Sequence, residues 1–341
     1  MVALAEVIAS NKRIATSFPD GLIAVFIGGT SGVGEYTVKA FARYVTKPRA
    51  YIVGRSEEAA DRIINECKKL NAQGHYEFIQ ADVSLIRNID GVCHHIQSKE
   101  SAINILFQSQ GSMGFTKQTS EGLPLVAALA VHGRTRFILN LLPLLQNARH
   151  LRRVVSVGAG SFEGPIDTDN ISGVGFPIRK WRDQFASCIT LLLAKVAQQA
   201  ADVGYVHTCP GVVESGIMRD MEPTLQLRIM VAITGLLAPL LNTSPDECGE
   251  RQLFAATSAR YGHKKSQHEA LGVPVEVAVG QARGIDGQMG SGVYSTYVKG
   301  ESAPLKTERL LRDLKASGVA EKVWQYVLSD SVKVTGKERM M

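Results

Sequence analysis

The sequence predicts an α/β protein: a doubly wound parallel sheet of about seven strands with helices on both faces. Three observations predict it. Strand-like runs at Leu22 to Ile27, Arg49 to Val53, Tyr76 to Ala81 and Ile103 to Phe107 recur with room for one helix between each pair, the rhythm of strand–helix–strand units. The first run is continuously apolar, as a strand buried on both faces requires. It ends in Gly28, Gly32 and Gly34, spaced G-x-x-x-G-x-G ahead of a helix-like run from Glu35 to Tyr44. Together these indicate a Rossmann-like sheet, with ligands outside the carboxyl ends of its strands.

Residues 1 to 19 read as an amphipathic leader, with Val2, Leu4, Val7 and Ile8 at helical spacing, and residues 20 to 341 as one domain without a linker. A strand, a glycine turn and a helix start place free backbone N–H groups and a positive dipole end at one point. A phosphate fits there if no Cβ blocks its approach; a plain tight turn is the blander reading. Gly28, Thr30, Ser31, Gly32, Val33 and Gly34 are the candidate contacts. The second strand ends in Gly54-Arg55-Ser56. An NAD site wants a carboxylate here for the ribose 2′-hydroxyl, whereas Arg55 is a bidentate partner for a 2′-phosphate, so NADP(H) is the expected cofactor. Glu57 to Asn71 reads as a helix. Asp82 and Val83, after the third strand, suit an adenine amine and ring, or Asp82 caps a helix from Leu85 to Ser98. The fourth strand runs into Gln108-Ser-Gln-Gly111.

Leu123 to Gln146 is a long apolar helix carrying His132, Arg134, Arg136 and Asn140. Arg152 to Val157 is a fifth strand, Ser161 to Gly175 a polar loop, Phe185 to Ala200 a helix, and Tyr205 to Cys209 a sixth strand ending in Pro210-Gly211. Ile229 to Leu241 has 13 residues without a charge, too short to span a bilayer. It is expected to cover a substrate pocket or an oligomer seam. Ser244-Pro-Asp-Glu247 is a capping box that opens a helix to Ser258. Gly262 to Gly290 is loop-like, Gly292 to Val298 a seventh strand and Thr307 to Leu328 a helix.

Composition removes other classes. Among 341 residues, 45% are hydrophobic, enough for a sizeable core, and 6% aromatic, too few for single-strand stacking platforms. The +6 net charge is scattered, which argues against a nucleic-acid partner. Five cysteines without a C-x-x-C pair suggest free thiols in a reducing, cytoplasmic setting and no metal site. No long apolar core of a signal peptide or transmembrane segment is evident.

The chain resembles the short-chain dehydrogenase/reductase superfamily over roughly residues 20 to 300. The resemblance is carried by Gly28-Gly-Thr-Ser-Gly-Val-Gly34, Asp82-Val83, Gln108-Ser-Gln-Gly111 (where the family usually has Asn-Asn-Ala-Gly) and Pro210-Gly-Val-Val-Glu-Ser215. More narrowly, Val53-Gly-Arg-Ser56, Phe78-Ile-Gln-Ala-Asp-Val-Ser-Leu85 and Leu139-Asn-Leu-Leu-Pro-Leu-Leu145 resemble divergent members from fungal secondary-metabolite gene clusters. The resemblance implies that Pro210, Val213 and Ser215 contact the nicotinamide carboxamide and that Gly111 lines the cofactor. It also implies a catalytic asparagine, serine, tyrosine and lysine, and here the pattern is eroded. Alignment puts Ala130, Ala159 and Phe176 at the first three positions and keeps only Lys180, as catalytic and ribose-binding residue. Ser156, Ser161, Asp167, Asp169, Arg182 and His132 are the nearby groups that could substitute, each with a blander reading as cap, loop or core residue. The expectation is an NADP(H)-dependent oxidoreductase acting on an apolar carbonyl or enone, such as a polyketide or terpenoid intermediate, with a homo-oligomer as the expected partner state. A non-redox isomerase or cyclase that keeps the cofactor pocket, or a silent NADP-binding partner protein, is the alternative.

Overall fold

The computed structural model describes residues 1–221, 243–264 and 272–340. Seven strands form one sheet: β1 (Ile23–Ile27), β2 (Arg49–Gly54), β3 (His75–Gln80), β4 (Ile105–Gln108), β5 (Arg153–Val157), β6 (Gly204–Thr208) and β7 (Val293–Thr296). Their spatial order is β3-β2-β1-β4-β5-β6-β7, and every neighbouring pair is parallel. Winding reverses between β1 and β4, the switch point at which doubly wound sheets open a crevice.

Alternation along β1 shows why its apolar run is unbroken. Val25 and Ile27 enter the core on one face, with α5 (Ile86–Lys99), α7 (Gly133–Asn147) and α8 (Ile178–Gln199). Ala24 and Phe26 enter the core on the other, with α3 (Gly32–Tyr44), α4 (Glu57–Leu70) and α9 (Pro245–Thr257). The Phe26 ring sits 5.5 Å from Phe41 and 5.7 Å from Phe107, tying β1 to α3 and β4. Fully burying such a ring is worth roughly 1.5–3 kcal/mol. As the capping box requires, Ser244 Oγ accepts from Glu247 N at the start of α9.

The first nineteen residues are packed rather than trailing. Helices α1 (Leu4–Lys12) and α2 (Ile14–Ser17) bury Val7 and Ile14, and Asn11 Nδ2 donates to the Glu250 carbonyl (2.9 Å) and carboxylate (2.6 Å) of α9.

Three helices differ from the sequence reading. The run expected as one helix from Leu123 comprises a single turn, α6 (Leu125–Ala127), a π-turn over Ala128–His132, and α7. Taken together, Leu125–Asn147 is long and apolar enough to cross a bilayer, but 94% of that window is buried within the protein, the pattern of a core helix. Helix α8 starts at Ile178 rather than Phe185, because its charged first turns hide the periodicity of the apolar face. The expected C-terminal helix is two, α10 (Leu305–Ala316) and α11 (Val319–Thr335), separated by Gly318 at φ +77°. Left-handed backbone of this kind favours glycine and ends a helix. The apolar segment Ile229 to Leu241 lies outside the described residues.

Candidate active site

The glycine turn leaves β1 at the switch point. Gly28 has φ +81°, and a Cβ there would lie 2.9 Å from the Gln110 nitrogen. A Cβ on Gly34 would strike the Gly28 carbonyl and lie 2.6 Å from Ser109 Oγ. The turn therefore packs against the end of β4 as tightly as backbone allows. Ser31, extended and at the N-cap of α3, makes no side-chain cap bond, so the first N–H groups of α3 remain available to an anion. Thr30 packs on Gly54. Val33 is buried in the turn's base.

The segment after β6 crosses this turn. Ser215 Cβ lies 2.6 Å from where a Cβ of Gly32 would be, and Tyr36 Oη donates to the Glu214 carbonyl (3.1 Å). Pro210 and Val213 thus lead a strap onto the glycines. The strap continues to the loop after β4, where Met113 N donates to Ile217 O (3.0 Å) and Ser112 Oγ to Asp220 (2.9 Å). Gly111 is exposed below Ile217. Arg55 is exposed at the end of β2, with no ion pair among the described residues. Ser56 Oγ caps α4 by accepting from Ala59 N (3.2 Å). Asp82 turns back onto Ser84, whose N–H and hydroxyl both donate to it (3.0 and 2.8 Å), beside the buried Val83. It does not cap α5; Glu121 accepts from Ile86 N (2.6 Å) and Arg87 N (3.1 Å) instead.

The four-group catalytic set does not assemble. Ala130 lies in the π-turn and Ala159 just past β5. Pro177 is the N-cap of α8, so Phe176 precedes the helix and cannot share a helical face with Lys180. The Lys180 ammonium is exposed, 3.1 Å from Asp167 Oδ2 and 3.6 Å above the Phe176 ring. It holds the Asp167 carboxyl below its usual value. None of these partners belongs to the glycine turn or the strap; the described residues pair Lys180 at the surface, apart from the ribose contact that the family resemblance implies. Asp169 is exposed on the same loop. His132 is sealed in the core between Ala127 O and Asp330 (3.1 Å each). Arg182 pairs with Asp183 and covers the Phe162 ring at 4.2 Å.

Two buried polar groups were not singled out as site residues from the sequence. Arg134 reaches from α7 to the ends of β4 and β5, donating to Gln108 O (3.1 Å), Gln110 O (2.7 Å) and Ser156 Oγ (2.6 Å). Glu163, after β5, accepts from Thr190 of α8 (2.7 Å) and Ser295 of β7 (2.5 Å), and Thr190 also bonds His207 Nδ1 of β6 (2.8 Å). Ser161, at φ +71°, donates its N–H to Ser295 Oγ (2.8 Å), and its own hydroxyl is buried without a partner among the described residues. A non-glycine residue in that conformation costs on the order of 1–3 kcal/mol. The sequence signal was available: His207 is polar in the middle of a strand buried on both faces.

A family model for short chain dehydrogenases matches residues 22–159. Over nearly its whole length the chain is similar to oxidoreductase AN1596 of Emericella nidulans, 34% identical over 332 residues that cover 96% of this chain and 98% of that protein. The chain belongs to the short-chain dehydrogenase/reductase family. It is also 32% identical to oxidoreductase andH of Emericella variicolor, covering 98% of both chains. Among solved structures it is similar to the RhlG/NADP complex of Pseudomonas aeruginosa (18% identity, TM-score 0.53, covering 77% of this chain and 97% of that one). It is likewise similar to L-sorbose reductase of Gluconobacter frateurii with NADPH and L-sorbose (13%, TM-score 0.53, 75% and 94%). At these identities the structural likeness is one of fold, the doubly wound sheet of this class of oxidoreductases.

Proposed function

We propose that the chain binds NADP(H) across the β1–α3 turn and acts as a short-chain-type oxidoreductase on an apolar carbonyl or enone. The observation that carries the cofactor reading is Arg55, exposed and without an ion pair among the described residues, at the end of β2 where an acid would select NAD. The residues fit the group: glycines that admit no Cβ, uncapped N–H groups at α3 for a pyrophosphate, and Ser215 over the turn. The NADP of the RhlG complex and the NADPH of the L-sorbose reductase complex, two structures of similar fold, support the same reading.

When bound, the cofactor supplies or accepts the hydride. The chain's own part is to hold the 2′-phosphate with Arg55 and orient the carboxamide with the strap. Val212, Ile217 and Met218 of the strap are exposed apolar side chains, and Phe115 packs on Trp181 at 5.2 Å nearby in the β4 loop; this lining suits an apolar substrate. With Ala159 and Phe176 unable to move protons, Ser161 is the hydroxyl the fold offers on the loop after β5. Secondary metabolism, a cytoplasmic setting, one domain over residues 20–341 and a homo-oligomer complete the proposal, the first resting on the motif resemblance. The eroded catalytic set favours one second reading, a non-redox isomerisation in the same pocket. That would convert substrate without consuming NADPH.

Calorimetric titration of wild type and Arg55→Asp tests the cofactor. NADPH should bind at least about tenfold tighter than NADH, roughly 1.4 kcal/mol, and the substitution should erase the difference. Equal affinities in the wild type would refute it.

A further inference from the structure

Arg134 is a buried cation without a counter-ion among the described residues. Its guanidinium is almost wholly removed from solvent, and its partners are two carbonyls and one hydroxyl, all neutral. No carboxylate lies within 4 Å of it among the described residues. Burial pulls it down to about 9, which still leaves it charged at neutral pH. Isolating such a charge is costly, and three hydrogen bonds to neutral groups offset only part of that cost. The surroundings are also incompletely bonded. Arg134 Nε, Gln108 Oε1 and both amide atoms of Gln110 are buried without partners.

The position is specific. The guanidinium is bonded to the last residue of β4 and to the loop just beyond it, on the far side of the switch point from β2. A dinucleotide whose 2′-phosphate meets Arg55 lays its adenosine half over β2 and its other half over the β4–β5 side. Building on the NADP(H) reading above, we propose that Arg134 is an uncompensated charge beneath the nicotinamide end that makes the site favour the reduced, neutral ring over the oxidised, cationic one.

The consequence is a bias toward ketone or enone reduction. NADP⁺ carries a positive ring and NADPH does not, so a fixed cation raises the free energy of the oxidised complex alone. At an effective dielectric near 20, a unit charge about 10 Å away changes an equilibrium by roughly tenfold.

The test is calorimetric titration of the full chain with NADPH, NADP⁺ and 2′-phospho-ADP-ribose, which lacks the ring. Wild type should bind NADPH about tenfold tighter than NADP⁺, and should bind the ringless compound at least as well as NADP⁺. Arg134→Lys should keep most of the preference. Arg134→Gln should bring NADPH and NADP⁺ within about twofold of each other, whatever both lose in absolute affinity. A structural role for Arg134 would lower both affinities and leave their ratio unmoved. If Arg134→Gln does not fold, the wild-type ratios still decide: equal affinity for the two redox states, or much weaker binding of the ringless compound than of NADP⁺, overturns the proposal. Retention of the full preference in Arg134→Gln also overturns it. Failure of all three compounds to bind overturns the cofactor reading itself, and this proposal with it.

Discussion

Replacing Glu163 with glutamine changes one charge and almost no volume. In the native protein Glu163 Oε1 accepts from Thr190 and Ser295, and Oε2 is buried without a partner. Burial alone would raise this carboxyl, but the nearby His207 ring (3.6 Å) and hydrogen bonds from Ser295 and Thr190 outweigh it and hold it below its usual value. Glu163→Gln keeps an acceptor for the two hydroxyls but turns charge-assisted bonds into neutral ones, a loss of roughly 0.5–1.5 kcal/mol each. It also places an amide N–H₂ where Oε2 has no hydrogen-bond partner among the described residues, costing on the order of 1 kcal/mol more if it too stays unpaired. The expected loss at neutral pH is about 2–4 kcal/mol, read from urea midpoints. The sign with pH is fixed. A depressed carboxyl contributes stability that is present above its unfolded value and is lost as pH falls through the folded one. The gap between wild type and variant should therefore shrink as pH falls below the carboxyl's unfolded value. A gap that stays constant with pH would show that the carboxylate is not held ionised, and the network would then be a set of neutral hydrogen bonds.

Two further substitutions probe the cleft. Gly34→Ala drives a methyl into the Gly28 carbonyl, so stability should fall by about 1–3 kcal/mol and NADPH affinity by about tenfold or more; native-like binding would separate the turn from the phosphate. Lys180→Ala removes only exposed pairings, so it should cost less than about 1 kcal/mol and leave NADPH affinity within about twofold, whereas a tenfold loss would return Lys180 to the ribose.

The first strand was legible because β1 is buried on both faces and carries no polar residue to blur its apolar run: the predicted strand began at Leu22 and the observed one at Ile23. The glycine turn was legible because each of its constraints is local. What the sequence hid was non-local. Glu163, Thr190, His207 and Ser295 come from four separate segments, and no spacing announces that they meet. The start of α8 was missed because Arg179, Lys180 and Arg182 lie on its outer side, where charge masks the helical period. Phe176 and Lys180 were placed by the family's spacing, and Pro177 between them sets the helix boundary.

The contact between His132 and Asp330 joins residues 198 positions apart. Helix α11 also lays Val323 and Val327 into the core that α7 and α8 share. During synthesis those two helices emerge well before the segment that roofs them. At a typical elongation rate of about 5–20 residues per second, their apolar outer surface stays open to water for on the order of ten seconds or more. A nascent chain in that interval is a natural client for chaperones, and a ribosome stalled between α8 and α11 would release an aggregation-prone fragment.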